Sequence, residues 1–368
     1  MNRQACPNAF PVLQIKRHCM PSILRHGILL ILLGRGLTVS VCLSNEPFPS
    51  VSGSALSELG ELLPEAPLGF ATSEEAIEAV KTGKVPAINL FQRVPPNVVI
   101  RRDVEYGDAG NRPLLLDLYS PAEVDAPVPA IVFIHGGAWK GGRKEDYRFY
   151  AQHFARLGYV VASVQYRLSG EAPFPAAIHD VKAAVRFMRA ESGSLGVDPN
   201  RLAVAGGSAG GHLSMMIGYS SDIKELDGNS GHPGVSSRVQ CVVNFYGPTD
   251  MTTDFVRGIS RTHWAVRDFF GGTLEEQPDR YSAGSPLKYV TSDDPPTLIL
   301  HGTVDTVVPI NQGDLLAKKL QKVAVPWVYD RLPGWPHAMD IAQPVNNRCR
   351  WFMERFFERY LKHPQTSE

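Results

Sequence analysis

Arg201-Leu-Ala-Val-Ala-Gly-Gly-Ser-Ala-Gly-Gly-His-Leu-Ser-Met-Met216 decides how this chain folds. Its first five residues are an apolar, strand-like run, and the six from Gly211 onward are helix-like. Between them, Gly206-Gly207-Ser208-Ala209-Gly210 sets a serine among glycines at a strand-to-helix corner. That is the sequence of a nucleophile elbow, a turn so tight that its flanking residues must be very small. The strain lifts the Ser208 hydroxyl clear of the backbone. Ala209 offers its N–H at a helix start, where partial positive charge gathers.

A second motif lies upstream. The run Ala130-Ile-Val-Phe-Ile134 reads as a buried strand and ends in His135-Gly136-Gly137-Ala138-Trp139. Glycines there let a backbone turn its N–H groups toward a ligand. With Ala209, the amides of Gly137 and Ala138 are the expected oxyanion hole, the donor set that receives a developing negative oxygen.

On a fold of this kind a serine is followed in the chain by an acid and then a histidine. Thr297-Leu-Ile-Leu-His301 reads as a late strand, and the loop after it carries Asp305, the expected acid. Asp330 lies too deep in the next strand, Asp293 and Asp294 read as turn residues, and Asp250 reads as a helix cap. The loop Gly334-Trp335-Pro336-His337-Ala338-Met339 carries the expected base, His337. Of the other histidines, His212 is expected to pack or cap, His301 to brace the acid loop, and His135 to hold the oxyanion loop in shape. In this scheme His337 takes the Ser208 proton and Asp305 fixes the imidazole tautomer. No metal or other cofactor is called for, because no ligand spacing, dinucleotide fingerprint or Walker loop is present.

These four segments together resemble the α/β-hydrolase superfamily. Within it the chain is similar to the esterase/lipase group related to hormone-sensitive lipase, and especially to bacterial acetyl-xylan and feruloyl esterases. Val164-Gln-Tyr-Arg-Leu168 followed by Phe174-Pro-Ala-Ala-Ile-His-Asp180 fits that group's spacing. The resemblance covers about residues 97 to 362. It implies a mostly parallel sheet flanked by helices, an acyl-enzyme mechanism, and an ester substrate that is a small molecule or a polysaccharide. Two departures stand out. The oxyanion motif reads Gly-Gly-Ala-Trp where many relatives have three glycines, and Trp335-Pro336 precedes the histidine where relatives often have glycine. Trp139 and Trp335 are expected substrate contacts, stacking on a sugar ring or an aryl acid, with core packing as the alternative.

The chain has 368 residues, 43% of them hydrophobic and 20% charged, with a formal net charge of +0. Such a balance attracts neither nucleic acid nor an anionic membrane in bulk. Residues 1–44 read as a leader: an apolar stretch interrupted at Arg35, with the true start possible at Met20 and cleavage expected near Ser44. A mid-helix arginine argues against stable membrane insertion, so the mature chain is expected to be secreted or periplasmic. Residues 45–96 form an extension or linker, with a capping box at Thr72-Ser-Glu-Glu75 opening a short helix. The catalytic domain spans 97–362. Cys241 and Cys349 are expected to be buried thiols rather than a disulfide pair.

Inside the domain, Asn97–Tyr106 and Leu114–Tyr119 read as a hairpin, and from Ala130 strands alternate with helices. Three stripes at helical spacing predict helix faces on the sheet: Tyr147, Tyr150, Phe154 and Leu157; Ile178, Val181, Val185 and Met188; Cys349, Phe352, Phe356 and Tyr360. Residues 252–289 break the alternation as a small cap, a pocket wall or surface elaboration. Ester hydrolysis is the leading reading. A serine peptidase of the prolyl-oligopeptidase branch and a non-catalytic binding protein on a hydrolase scaffold are the alternatives.

Overall fold

A computed structural model describes residues 48–60, 62–90, 92–110, 112–257 and 261–363, with the side chains of 261 and 262 excepted. The expected leader, Met20 and the Ser44 cleavage point lie outside the described residues. No described helix is long and apolar enough to cross a membrane.

Nine described strands form one sheet: β1 (Val51–Ser52), β2 (Val98–Asp108), β3 (Pro113–Pro121), β4 (Val128–Ile134), β5 (Val160–Val164), β6 (Val197–Gly207), β7 (Cys241–Phe245), β8 (Thr297–Gly302) and β9 (Trp327–Leu332). Their spatial order is β1-β9-β8-β7-β6-β4-β5-β3-β2. The β2–β3 hairpin and the β3–β5 pair are antiparallel, β4 to β9 run parallel, and β1 closes the far edge antiparallel to β9.

The helices are α1 (Ser73–Lys81), α2 (Arg148–Arg156), α3 (Ala176–Ala190), α4 (Ser192–Leu195), α5 (Ala209–Tyr219), α6 (Arg261–Phe270), α7 (Pro278–Ala283), α8 (Asn311–Lys322) and α9 (Gln343–Phe357). Because alternate strand residues face opposite sides, β4 divides its side chains between two cores. Val132 and Ile134 join the core under α3, α5 and α8, while Ile131 and Phe133 join the one under α2 and α9. A strand buried on both faces must be apolar throughout, which is why β4, β5 and β7 are nearly continuous apolar runs. All four residues of the α3 stripe are fully buried, as are Cys349, Phe352 and Phe356 on α9; Leu157, just past α2, is instead exposed. Both Cys241 and Cys349 are buried free thiols.

This topology fixes where a site can form. The chain leaves β4 toward β5 on one side, then returns to lay β6 on the other side and continues outward to β9. The sheet order therefore switches between β4 and β6. In open parallel sheets a crevice opens at that point, beyond the carboxyl ends of the strands. His135–Gly137 leaves the end of β4, and Ser208 leaves the end of β6.

The segment before the hairpin packs onto the same body. Thr72 caps α1, its Oγ1 accepting from the Glu75 amide at 3.2 Å, and Glu75 Oε2 accepts from the Ala71 amide at 3.1 Å. Gly83, at φ +75°, lets the chain turn away after the helix.

Candidate active site

Ser208 sits at φ +57° and ψ −122°, a conformation that costs a non-glycine residue on the order of 1–3 kcal/mol and persists only where its surroundings enforce it. Those surroundings are backbone. A Cβ on Gly210 would lie 2.0 Å from the carbonyl oxygen of Ile134, and one on Gly206 would lie 2.5 Å from Gly210 itself. The elbow is thus pressed against the end of β4, and only hydrogen fits at these two positions. The Ser208 amide donates to the Phe245 carbonyl at 2.9 Å, continuing the β6–β7 ladder, and its carbonyl accepts from His212 at 3.0 Å, beginning α5.

Sequence order and the sheet together bring the three expected side chains into one line. His337 Nε2 lies 2.9 Å from Ser208 Oγ, and His337 Nδ1 lies 2.7 Å from Asp305 Oδ2. Asp305 is positioned by its own loop after β8: Oδ1 accepts from the amides of Val307 at 2.8 Å and Val308 at 2.9 Å. His301 Nε2 lies 2.9 Å from the Val308 carbonyl and 3.3 Å from Asp305 Oδ2, so it braces this loop. Burial would push the Asp305 carboxyl up, but hydrogen bonds from His301 and His337, and the charge they can carry, outweigh it and hold the carboxyl well below the usual range. The acid is therefore ionised wherever the protein is folded near neutrality. Asp330, by contrast, is fully buried and paired with Arg348 at 2.8 and 2.9 Å. Asp250 holds a turn by accepting from the Thr252 amide rather than capping a helix.

The expected oxyanion loop folds over the serine. Gly137, Ala138 and Trp139 take positive φ in succession (+103°, +53°, +56°), forming a tight hook, and a Cβ on Gly136 would lie 2.8 Å from the Gly207 carbonyl oxygen. Among the described residues no protein acceptor takes the N–H of Gly137, Ala138 or Ala209. Ser208, His337 and Gly136–Ala138 all keep some solvent exposure although their strands are buried. His135 is buried, stacks on Tyr166 at 4.3 Å and has Nδ1 2.8 Å from the Gly136 carbonyl; burial pulls its imidazole down, so it holds the loop as a neutral ring. His212 is likewise buried 2.7 Å from the Gly284 carbonyl, and burial drives it down to about 4.

Two expectations need correction. Trp139 is 3% exposed, stacked on Phe269 at 4.6 Å and edge-on to His212 at 5.1 Å. Trp335 is 1% exposed, edge-on to Phe70 at 5.6 Å, with Nε1 donating to the Pro67 carbonyl at 3.2 Å. Both rings pack on protein and brace the loops that carry the polar groups, so neither stands open to stack on a sugar ring or an aryl acid. The stacking on Phe269 also shows what α6 does within residues 252–289: it packs against the loop of His135–Trp139.

The structure adds residues that sequence reasoning missed. Tyr246, at φ +39°, lays its ring 4.7 Å from the His337 imidazole and donates its hydroxyl to Asp340, which also accepts from Tyr150 at 3.0 Å. Burial pushes the Asp340 carboxyl up despite these two donors. The loop bearing His337 is also tied to the segment preceding the hairpin. Phe70 N donates to Gly334 O at 2.9 Å, Ile88 N to Ile341 O at 2.9 Å, and Gln343 N to Pro86 O at 2.7 Å. The only local signal for these contacts is the short loop itself, which cannot name partners 250 residues away.

A doubly wound sheet with a nucleophile elbow at its switch point, followed by acid and histidine loops, defines an α/β hydrolase. The family model for BD-FAE matches residues 116–320, more than half of the chain, and the chain belongs to that family, within the esterase/lipase group related to hormone-sensitive lipase. It is 31% identical over 269 residues to the probable carboxylic ester hydrolase LipM of Mycobacterium tuberculosis, covering 71% of this chain and 61% of that protein. It is 32% identical to the esterase LipC of the same organism, covering 68% and 64%. The chain thus spans about three fifths of the length of these curated relatives. Among solved structures it is similar to a truncated carbohydrate esterase from gut microbiota, with a TM-score of 0.60 at 27% identity over 74% of this chain and 99% of that one. The Thermogutta terrifontis esterase Est2, at 22% identity and a TM-score of 0.60 over 78% and 99%, shares the fold.

Proposed function

We propose that this protein is a serine carboxylic ester hydrolase acting on small esters. The observation that carries the reading is the unbroken line from Ser208 Oγ to His337 to Asp305, with three unclaimed amides beside it. Ser208 Oγ attacks the ester carbonyl carbon while its proton passes to His337 Nε2. The carbonyl oxygen becomes an alkoxide held by the N–H groups of Gly137, Ala138 and Ala209. The intermediate collapses, the carbon–oxygen bond to the alcohol breaks, and His337 returns the proton to the leaving oxygen. Water, deprotonated by the same imidazole, then splits the acyl-serine to the acid and restores Ser208. Asp305 stabilises the imidazolium in both halves. Turnover of p-nitrophenyl acetate that disappears in Ser208→Ala supports the reading; wild-type turnover no higher than the mutant's refutes it.

A finer reading is that the esters are acetyl or aryl groups carried on carbohydrate. The family and the carbohydrate esterase with a similar fold favour it. Release of acetate or ferulate from substituted xylan at rates comparable to small esters would support it. Labelling of Ser208 by a fluorophosphonate without ester turnover would favour the peptidase alternative, tested with an aminoacyl-proline anilide. We also read the chain as exported: a mature N-terminus near Ser44 supports this, and one at Met1 or Met20 counts against it.

A further inference from the structure

We infer that α1 and the histidine loop together form a subsite for the alcohol portion of the ester, and that this subsite selects alcohols with an apolar body. The inference rests on the ester-hydrolase reading above and narrows its substrate class.

Three observations carry it. A cavity of about 280 Å³ lies between α1 and residues 335–342, and His337 is part of its lining. Its walls are apolar, built from Ala76, Ile77 and Val80 on one side and Trp335, Pro336, Met339 and Ile341 on the other; apart from His337, Lys81 is the only ionisable side chain among the described residues lining it. Ile77 and Ile341 are 41% and 47% exposed, an arrangement that leaves two large aliphatic groups facing water across the same opening.

Stereochemistry then says which part of the ester goes there. The carbonyl oxygen must point at the amides of Gly137, Ala138 and Ala209. The leaving oxygen must lie within reach of His337 Nε2, because that nitrogen returns the proton. The alcohol therefore departs on the histidine side, where His337 is one of the residues lining the cavity. The cavity falls just below the roughly 300–1,000 Å³ of pockets that hold drug-sized ligands, so it takes one small group rather than a polysaccharide chain. A sugar seated in it would press hydroxyls against Ile77 and Val80 with few partners, which is unfavourable.

The consequence for the fold is direct: the segment that precedes the β2–β3 hairpin supplies one wall of the site. Its backbone bonds to Gly334 and Ile341 hold that wall in register with His337.

The test compares two ester series by the rate of acid release at constant pH. In ethyl, butyl and hexyl acetate the alcohol lengthens while its acidity hardly changes. In ethyl acetate, butyrate and hexanoate only the acyl chain lengthens. The wild type is expected to gain up to about fourfold in kcat/KM per alcohol methylene until the cavity is full. Ile77→Asp, and independently Ile341→Asp, should flatten the alcohol series and leave the slope of the acyl series in place; Ile77→Met should keep both slopes. A flat alcohol series in a wild type that hydrolyses these esters overturns the subsite alone. So does an Ile77→Asp effect confined to the acyl series. Failure of the wild type to hydrolyse any of them overturns the ester reading and the subsite with it.

Discussion

The serine turn and the histidine loop meet across 2.9 Å, and backbone contact pins both, but the partners lie at different distances along the chain. The elbow is fixed by backbone touching backbone: Gly206 and Gly210 against each other within one short turn, and both against Ile134 at the end of β4. The loop at 334–342 is pinned from farther off: Gly334 lies against Gly69 and Phe70, and Trp335 lies against Gly302 at the end of β8. It is held by Pro67, Phe70, Pro86 and Ile88, and by the Tyr246–Asp340 bond beneath it. A site built this way keeps its nucleophile invariant in position, while the wall beside the histidine can be altered through a distant segment.

Substitutions should disturb the two regions unequally. The largest effect should come from the group that joins the two regions electronically. Asp305→Asn keeps the shape but presents the wrong hydrogen to His337, and should lower kcat for p-nitrophenyl acetate by roughly 10⁴-fold with little change in KM. A loss under tenfold would remove Asp305 from the relay. Next comes the elbow. Gly210→Ala drives a methyl into the Ile134 carbonyl and should cost about 3 kcal/mol in urea unfolding, with activity lost in parallel. Wild-type stability in that variant would mean the turn is looser than its geometry states. The smallest effect belongs to the histidine loop. Trp335→Phe keeps the packing on Phe70 but removes the bond to Pro67, and should cost about 1 kcal/mol. If the loop depends on the segment before the hairpin, kcat falls in this variant while turnover remains measurable. An unchanged kcat would mean the loop holds itself.

What could be read in advance follows the same division. The turn at Ser208, its flanking glycines and the strand leading to His135 were legible as placements because each motif occupies a few consecutive residues at a strand end, where steric rules act locally. Asp305 and His337 were legible from chain order, since the parallel sheet places successive strand ends side by side. The roles of Trp139 and Trp335 were not. A tryptophan beside a site has the same local sequence whether it stacks on substrate or on protein, and the deciding partners, Phe269 and Phe70, lie far off in the chain. The wall made by α1 was hidden for the same reason. Its capping box predicts a helix, but nothing in a helix of nine residues says which loop it will lie against.

The proposed chemistry turns on the activation of Ser208 by His337. Incubating the protein with a fluorophosphonate and mapping the adduct by mass spectrometry tests it directly. A single adduct on Ser208, formed at least a hundredfold more slowly in His337→Ala, is the predicted result; an adduct on another residue, or an equal rate in the two proteins, would contradict it.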